Sequence, residues 1–275
     1  MAGEMTFWEH LDELRKVIFR SFAVIIVLMV MFFLCKETVF DGVVLAPLTD
    51  GFFVYRWMDR LLGLLGIGAL EPFRVELVNI DLAAQFFTHV RISFWLAVIV
   101  AMPFLIYQVW LFVRPALYDR EKRAAQTAFG LSSLLFYIGV GVGYVVVFPL
   151  TLRFLGTYQV SESVANQISL LSYIGMFLKL NLIMGVVFEL PALALLLSRI
   201  GIINRRMLRS FRKYAIVAAL AISAVITPSG DAFTMIVVAL PLYLLYEVSI
   251  MLCRDKKVNA EVNIVDRQTD NDIDK

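Results

Sequence analysis

The stretch from Pro103 to Arg123, PFLIYQVWLFVRPALYDREKR, constrains this chain more than any other. It leaves a long apolar run through Tyr107, Trp110 and Phe112 and turns at Arg114-Pro115. It then gathers Asp119, Arg120, Glu121, Lys122 and Arg123 just before a second long apolar run begins. Trp and Tyr favour the membrane–water boundary, and Lys and Arg favour the cytoplasmic side. The turn therefore reads as cytoplasmic, and it sets the direction of the spans on either side.

A helical span needs about 20 apolar residues. Runs of that order lie at 17–35, 92–112, 124–150, 170–197 and 232–252, with a shorter one at 214–226. Hydrophobic residues make up 60% of the 275 and charged residues only 17%, which excludes an ordinary soluble domain. The net charge of +2 is no sign of nucleic-acid binding, because the charges are distributed by membrane side. The run Val17 to Cys35 exceeds the roughly 7–15 residues of a signal-peptide core and ends in no small-x-small site, so it reads as a retained span. Cys35 and Cys253 fall at opposite faces, too far apart for a disulfide. No metal or cofactor spacing is present, and no enzymatic activity is expected.

Thr6 and Glu9 fit a capping box that starts a helix near Phe7. Trp8, Leu11 and Leu14 share one face of it, and Glu9, Asp12, Glu13 and Lys16 take the other. Residues 36–91 form the longest segment outside the spans, yet they are oily (Leu61-Leu62, Leu64-Leu65, Phe86-Phe87), which predicts short amphipathic helices forming a cap on the outer side. Gly139, Gly141 and Gly143 have the small-residue spacing that permits close helix approach. Residues 151–167 read as a short outer loop, and 255–275 as a polar, disordered cytoplasmic tail.

Lys and Arg number 18 in the N-terminal segment, the 114–123 turn, the 199–213 loop and the tail, against 6 in the outer segments. That asymmetry predicts an all-α membrane domain of six spans over residues 1–254, with both termini cytoplasmic.

The fourth span carries Lys179, Asn181, Glu189 and Pro191. Glu189 lies about 13 Å along the helix from the basic loop. A carboxylate at that depth is expected to be protonated, paired, or facing a wet cavity. Lys179 is about 15 Å away along a straight helix, too far for a direct pair. An intramembrane Glu near Pro also suits a second reading, a secondary transporter with a broken-helix ion site. The fifth run, Tyr214 to Ile226, makes only about 20 Å of helix, which points to local bilayer thinning at the Thr227–Gly230 turn.

The ordered motifs resemble the TatC family, the large subunit of the twin-arginine protein translocase. They are His10-Leu11-Asp12-Glu13-Leu14-Arg15, Ala46-Pro47-Leu48, Phe86-Phe87-Thr88, Tyr107-Gln108-Val109-Trp110 with Phe112, Pro115-Ala116-Leu117-Tyr118 with Glu121, Phe136-Tyr137, Phe148-Pro149, Phe188-Glu189 with Pro191, and Thr227-Pro228 with Asp231. Departures are Asp119 and Lys122, where the family often has bases, an extra residue before Asp231, and Lys179 at a usually apolar site. The resemblance implies a concave bundle in the inner membrane of a bacterium that binds twin-arginine signal peptides of folded cargo proteins. It implies small single-span partners of the TatA/TatB type, self-association within the complex, contact with membrane lipid, and dependence on the proton motive force. Glu13, Arg15, Phe112 and Glu121 are then the expected signal-peptide residues, the carboxylates matching guanidinium forks that Lys lacks. Glu189 and Asp231 are the expected intramembrane or partner contacts.

The topology has a direct check. Cysteines placed by Ser163→Cys and Asn204→Cys should label from opposite sides of the membrane; labelling from one side means the span count is off by one.

Overall fold

The computed structural model describes residues 7–49, 51–64, 75–116, 119–159, 161, 166–227 and 230–253, with the side chains of 7, 61–62, 116, 119–121 and 123–125 left out. Thr6, the tail 255–275 and Ser229 therefore lie outside the described residues.

Helix α1 runs unbroken over Phe7–Leu34. The cap follows as a chain of short elements: α2 Lys36–Val39, a π-helical turn Phe40–Val44, a 3₁₀ turn Ala46–Leu48 and α3 Phe53–Leu64. Strand β1 (Leu77–Val78) leads to α4, Ala84–Val113, and a 3₁₀ turn at Arg114–Ala116 leads to α5, Asp119–Val142. A π-helical turn Gly143–Val147 joins α5 to α6, Phe148–Thr157. Strand β2 (Ile168–Ser169) precedes α7 Leu170–Val187 and α8 Leu190–Ile200. Helices α9 Arg205–Ser210, α10 Arg212–Ile226 and α11 Ala232–Leu252 complete the chain. The β1–β2 pair is parallel, Leu77 opposite Ile168, so α4 and α7 start side by side at the cap end.

Among the described residues, five helical stretches are long and apolar enough to cross a bilayer: Trp8–Leu34, Ala84–Val113, Gln126–Thr157, Leu170–Ile200 and Ala232–Leu252. Their outer faces carry apolar belts that only hydrocarbon tolerates. On α11 the stripe Phe233, Ile236, Leu240, Leu244, Val248 and Met251 is exposed, while Thr234, Val238, Leu242, Leu245 and Ser249 point inward at the same spacing. Two buried serines satisfy their hydroxyls on the turn below. Ser223 Oγ donates to the Ala219 carbonyl and Ser249 Oγ to that of Leu245, both at 2.7 Å.

The core lies where α5–α6 packs on α7 beneath the cap. Val147, Phe148, Leu180 and Val44 are fully buried there. Two tyrosines fasten the cap to the bundle: Tyr173 donates to the Val44 carbonyl at 2.6 Å and Tyr144 to that of Val43 at 2.8 Å.

Three spans differ from expectation, and the fifth is short, as expected. The second helix begins at Ala84 rather than 92, since no Gly or Pro interrupts Ala84–Arg91. The third continues to Thr157, so 151–157 is helix, not loop; Pro149 sits in the first turn of α6, where a missing N–H is tolerated. The fourth is two helices broken at Phe188–Glu189, because Pro191 has no N–H to offer the Val187 carbonyl. The fifth run is helical, but its 15 residues make about 22 Å, short of a bilayer's roughly 30 Å.

Gly139, Gly141 and Gly143 divide. A Cβ on Gly139 would meet the Met184 carbonyl oxygen at 2.6 Å and one on Gly143 the Asn181 Cα at 3.1 Å, whereas Gly141 has open space; from the α7 side, a Cβ on Gly185 would meet Phe136 at 2.8 Å. Gly139→Ala should therefore destabilise the fold by about 1–3 kcal/mol, and Gly141→Ala should be neutral or slightly stabilising. Thermal unfolding in detergent checks both.

Candidate functional site

Two places gather the residues singled out in the sequence. The first is at the end of the bundle opposite the cap, where the first turns of α1 pack on the last turns of α4. The His10 ring stacks on Phe112, centroids 4.3 Å apart and planes at 23°. Trp110 is buried against Phe129 of α5, with centroids at 5.4 Å. The Arg114–Ala116 turn then reverses the chain into α5.

Glu13 stands one turn beyond His10, exposed, with its carboxylate 2.8 Å from Lys16 Nζ. Arg15 lays its guanidinium over the Phe19 ring of its own helix, 5.6 Å from the centroid. Glu121 falls in the first turn of α5, where the helix dipole favours an acid; its side chain lies outside the description. The His10–Phe112 stack thus joins the acidic helix start to the α4–α5 turn, while Glu13 and Arg15 each engage a neighbour on α1. The stack itself escaped the sequence reading, since two rings 102 positions apart leave no periodic signal.

The second place is inside the membrane. The break between α7 and α8 turns Glu189 toward α5, where Ser132 Oγ donates to Glu189 Oε2. The other oxygen, Oε1, is buried and has no partner among the described residues. A cavity of about 60 Å³ opens beside it, lined by Ala128, Phe129, Ala192 and Leu193 among others. That is room for a water or two or for a small polar group. Of the open alternatives for Glu189, the structure shows a hydrogen-bonded carboxyl at a small cavity, and Lys179 lies elsewhere.

Asp231 has a structural task. It caps α11, its Oδ1 accepting from the Thr234 N–H at 2.8 Å and its Oδ2 from the Thr234 hydroxyl at 2.5 Å. At the other end of α11, Glu247 accepts from Arg212 at 2.7 Å and from the Tyr243 hydroxyl at 2.9 Å. Tyr246 donates to the Leu208 carbonyl at 2.5 Å. This clamp ties α9 and α10 to α11. Glu247 lies within the apolar run 232–252, and nothing in the sequence indicates which base meets it.

The profile of the family described as Sec-independent protein translocase protein (TatC) matches residues 9–241. The Sec-independent protein translocase protein TatC of Blattabacterium sp. subsp. Periplaneta americana is 32% identical over 255 residues, covering 91% of this chain and 95% of its own. The protein of that name from Deinococcus radiodurans is 34% identical over 253 residues, 92% and 87% of the two chains. The crystal structure of the twin arginine translocase receptor TatC in DDM shares the fold with a TM-score of 0.70 at 34% identity, over 90% of this chain and 100% of that one. Matches of this breadth leave no room for the secondary-transporter reading.

The Ser132–Glu189 contact can be measured by a double-mutant cycle. Ser132→Ala and Glu189→Ala should each lower unfolding stability by about 1–3 kcal/mol and be non-additive together. Strict additivity in thermal or denaturant unfolding shows that the two groups do not interact.

Proposed function

We propose, for a chain that belongs to the TatC family of Sec-independent protein translocase proteins, a receptor surface at one membrane face and a docking site within the membrane. The chain is a membrane-embedded subunit of the twin-arginine translocase, a protein-transport component. Its task in this reading is transport and not catalysis.

The helices make six passes in this proposal: α1, α4, α5–α6, α7–α8, α10 and α11. Both termini are cytoplasmic, and the membrane is the inner membrane of a bacterium. The Lys and Arg asymmetry supports that orientation. The short α10 makes its neighbourhood the thinnest part of the membrane.

The observation that carries the receptor role is the His10–Phe112 stack. It holds the acidic start of α1 against the α4–α5 turn, and in this reading Glu13 on α1 and Glu121 in the first turn of α5 serve one binding surface. A twin-arginine signal peptide offers two adjacent planar forks to such carboxylates. Glu13 is exposed, and its pair with Lys16 is readily exchanged for an arriving guanidinium. Arg15 positions the α1 face, and Phe112 lies beside the peptide. Within the membrane, a polar group from a partner's helix of the small single-span TatA/TatB type enters the cavity beside Glu189 and meets its buried oxygen, and Asp231 shapes the nearby hairpin for that encounter. Copies of the chain associate in the complex, surrounded by lipid, and export of folded cargo draws on the proton motive force.

Crosslinking to a twin-arginine peptide tests this. Glu121→Gln with Glu13→Gln should weaken binding by about tenfold or more, with the protein still in the membrane, and a Lys-Lys peptide should bind poorly to the unmodified chain. Glu189→Ala should leave that binding intact and impair a later step of export. Unchanged crosslinking in the double variant removes the carboxylates from recognition.

A further inference from the structure

At the cap end, an open cavity of about 610 Å³ lies along α4 and α7 and reaches Leu155 of α6. Arg91 and Lys179 both line it, with Trp95 and Leu182 farther along the wall. Both cations are exposed, and neither has a hydrogen bond or ion pair among the described residues. No acid is among the lining residues.

The depth of the two bases matters. Arg91 is seven residues into α4 and Lys179 nine into α7, so they stand about 10 Å and 14 Å from the paired helix starts. Gly175, one turn before Lys179, leaves open space where a side chain would stand. Two cations that no described residue neutralises repel one another at this depth and are poorly solvated by hydrocarbon. They require an anion that enters the membrane's outer layer, and the apolar wall beyond them requires that anion to bring a hydrocarbon tail. Free phosphate supplies the charge without the tail.

We infer that Arg91 and Lys179 bind the phosphate headgroup of an anionic phospholipid, with one acyl chain lying along Trp95 and Leu182. Arg91 engages the phosphate with its planar fork, and the flexible Lys179 stem carries its ammonium up to the same group. The inference rests on α4 and α7 spanning the membrane and is independent of signal-peptide recognition.

The test uses the full chain purified in detergent and exposed to phosphatidylglycerol or phosphatidylcholine of matched acyl chains, with bound lipid counted by native mass spectrometry. The unmodified protein should prefer phosphatidylglycerol by about tenfold or more, as expected for two bases at an anionic surface. Arg91→Gln with Lys179→Gln should bring the two lipids to parity, and Arg91→Lys with Lys179→Arg should keep the preference. Twin-arginine crosslinking should be the same in all three proteins, which separates this site from the receptor surface. Equal preference in the unmodified and the Gln proteins overturns the inference. So does displacement of the lipid by millimolar inorganic phosphate, which makes the site one for a soluble anion. Loss of small-subunit association in the Gln protein with lipid preference unchanged overturns it in favour of a partner's carboxylate.

Discussion

The close approach of α5 to α7 is the contact on which the rest of the structure depends. Gly139 and Gly185 let the two backbones meet at a distance that a single methyl group would prohibit. In a bilayer, helices gain little from hiding apolar surface, and close packing becomes a main source of association. That contact sets the position of everything around it. It holds Ser132 opposite Glu189, and it buries the ring cluster of Phe148, Tyr173 and Phe177 on which the cap rests. The cap in turn gives two of its carbonyls to Tyr144 and Tyr173, so its irregular backbone is anchored by side chains of the bundle.

Polar groups within the spans fall into two classes. Ser223 and Ser249 donate to a carbonyl one turn back on their own helix and ask nothing of their surroundings. Glu189, Arg91 and Lys179 cannot be satisfied in that way, because ionisable groups need partners from outside their turn. Glu189 finds one in Ser132 and keeps a second oxygen facing a cavity. Arg91 and Lys179 face a larger cavity at the cap end. Each of these ionisable groups therefore sits at a cavity rather than in close-packed core.

At the opposite end the design is electrostatic and aromatic. Arg212, Glu247 and Tyr243 hold α10 against α11, and Tyr246 fixes α9. The His10–Phe112 stack holds α1 to α4. These contacts tie the helices together at this end, although α1 otherwise exposes a largely apolar surface.

Hydropathy, turn chemistry and charge asymmetry made the long helices and the oily cap legible in the sequence, since each is a property of neighbouring residues. The ordered motifs from His10 to Asp231 made the family legible as well. Boundaries were less so: Pro149 and Pro191 look alike in a sequence, yet one is absorbed in a continuing helix and the other marks a break. Gly139 and Gly141 look alike too, and only the facing helix separates them. Ser132 with Glu189 and Arg212 with Glu247 are contacts between distant parts of the chain, and Arg91 and Lys179 come to one cavity from two separate helices. Helix crossing and rotation decide them. A backbone that satisfies its own hydrogen bonds settles where the helices run, and side-chain packing between helices settles which polar groups meet.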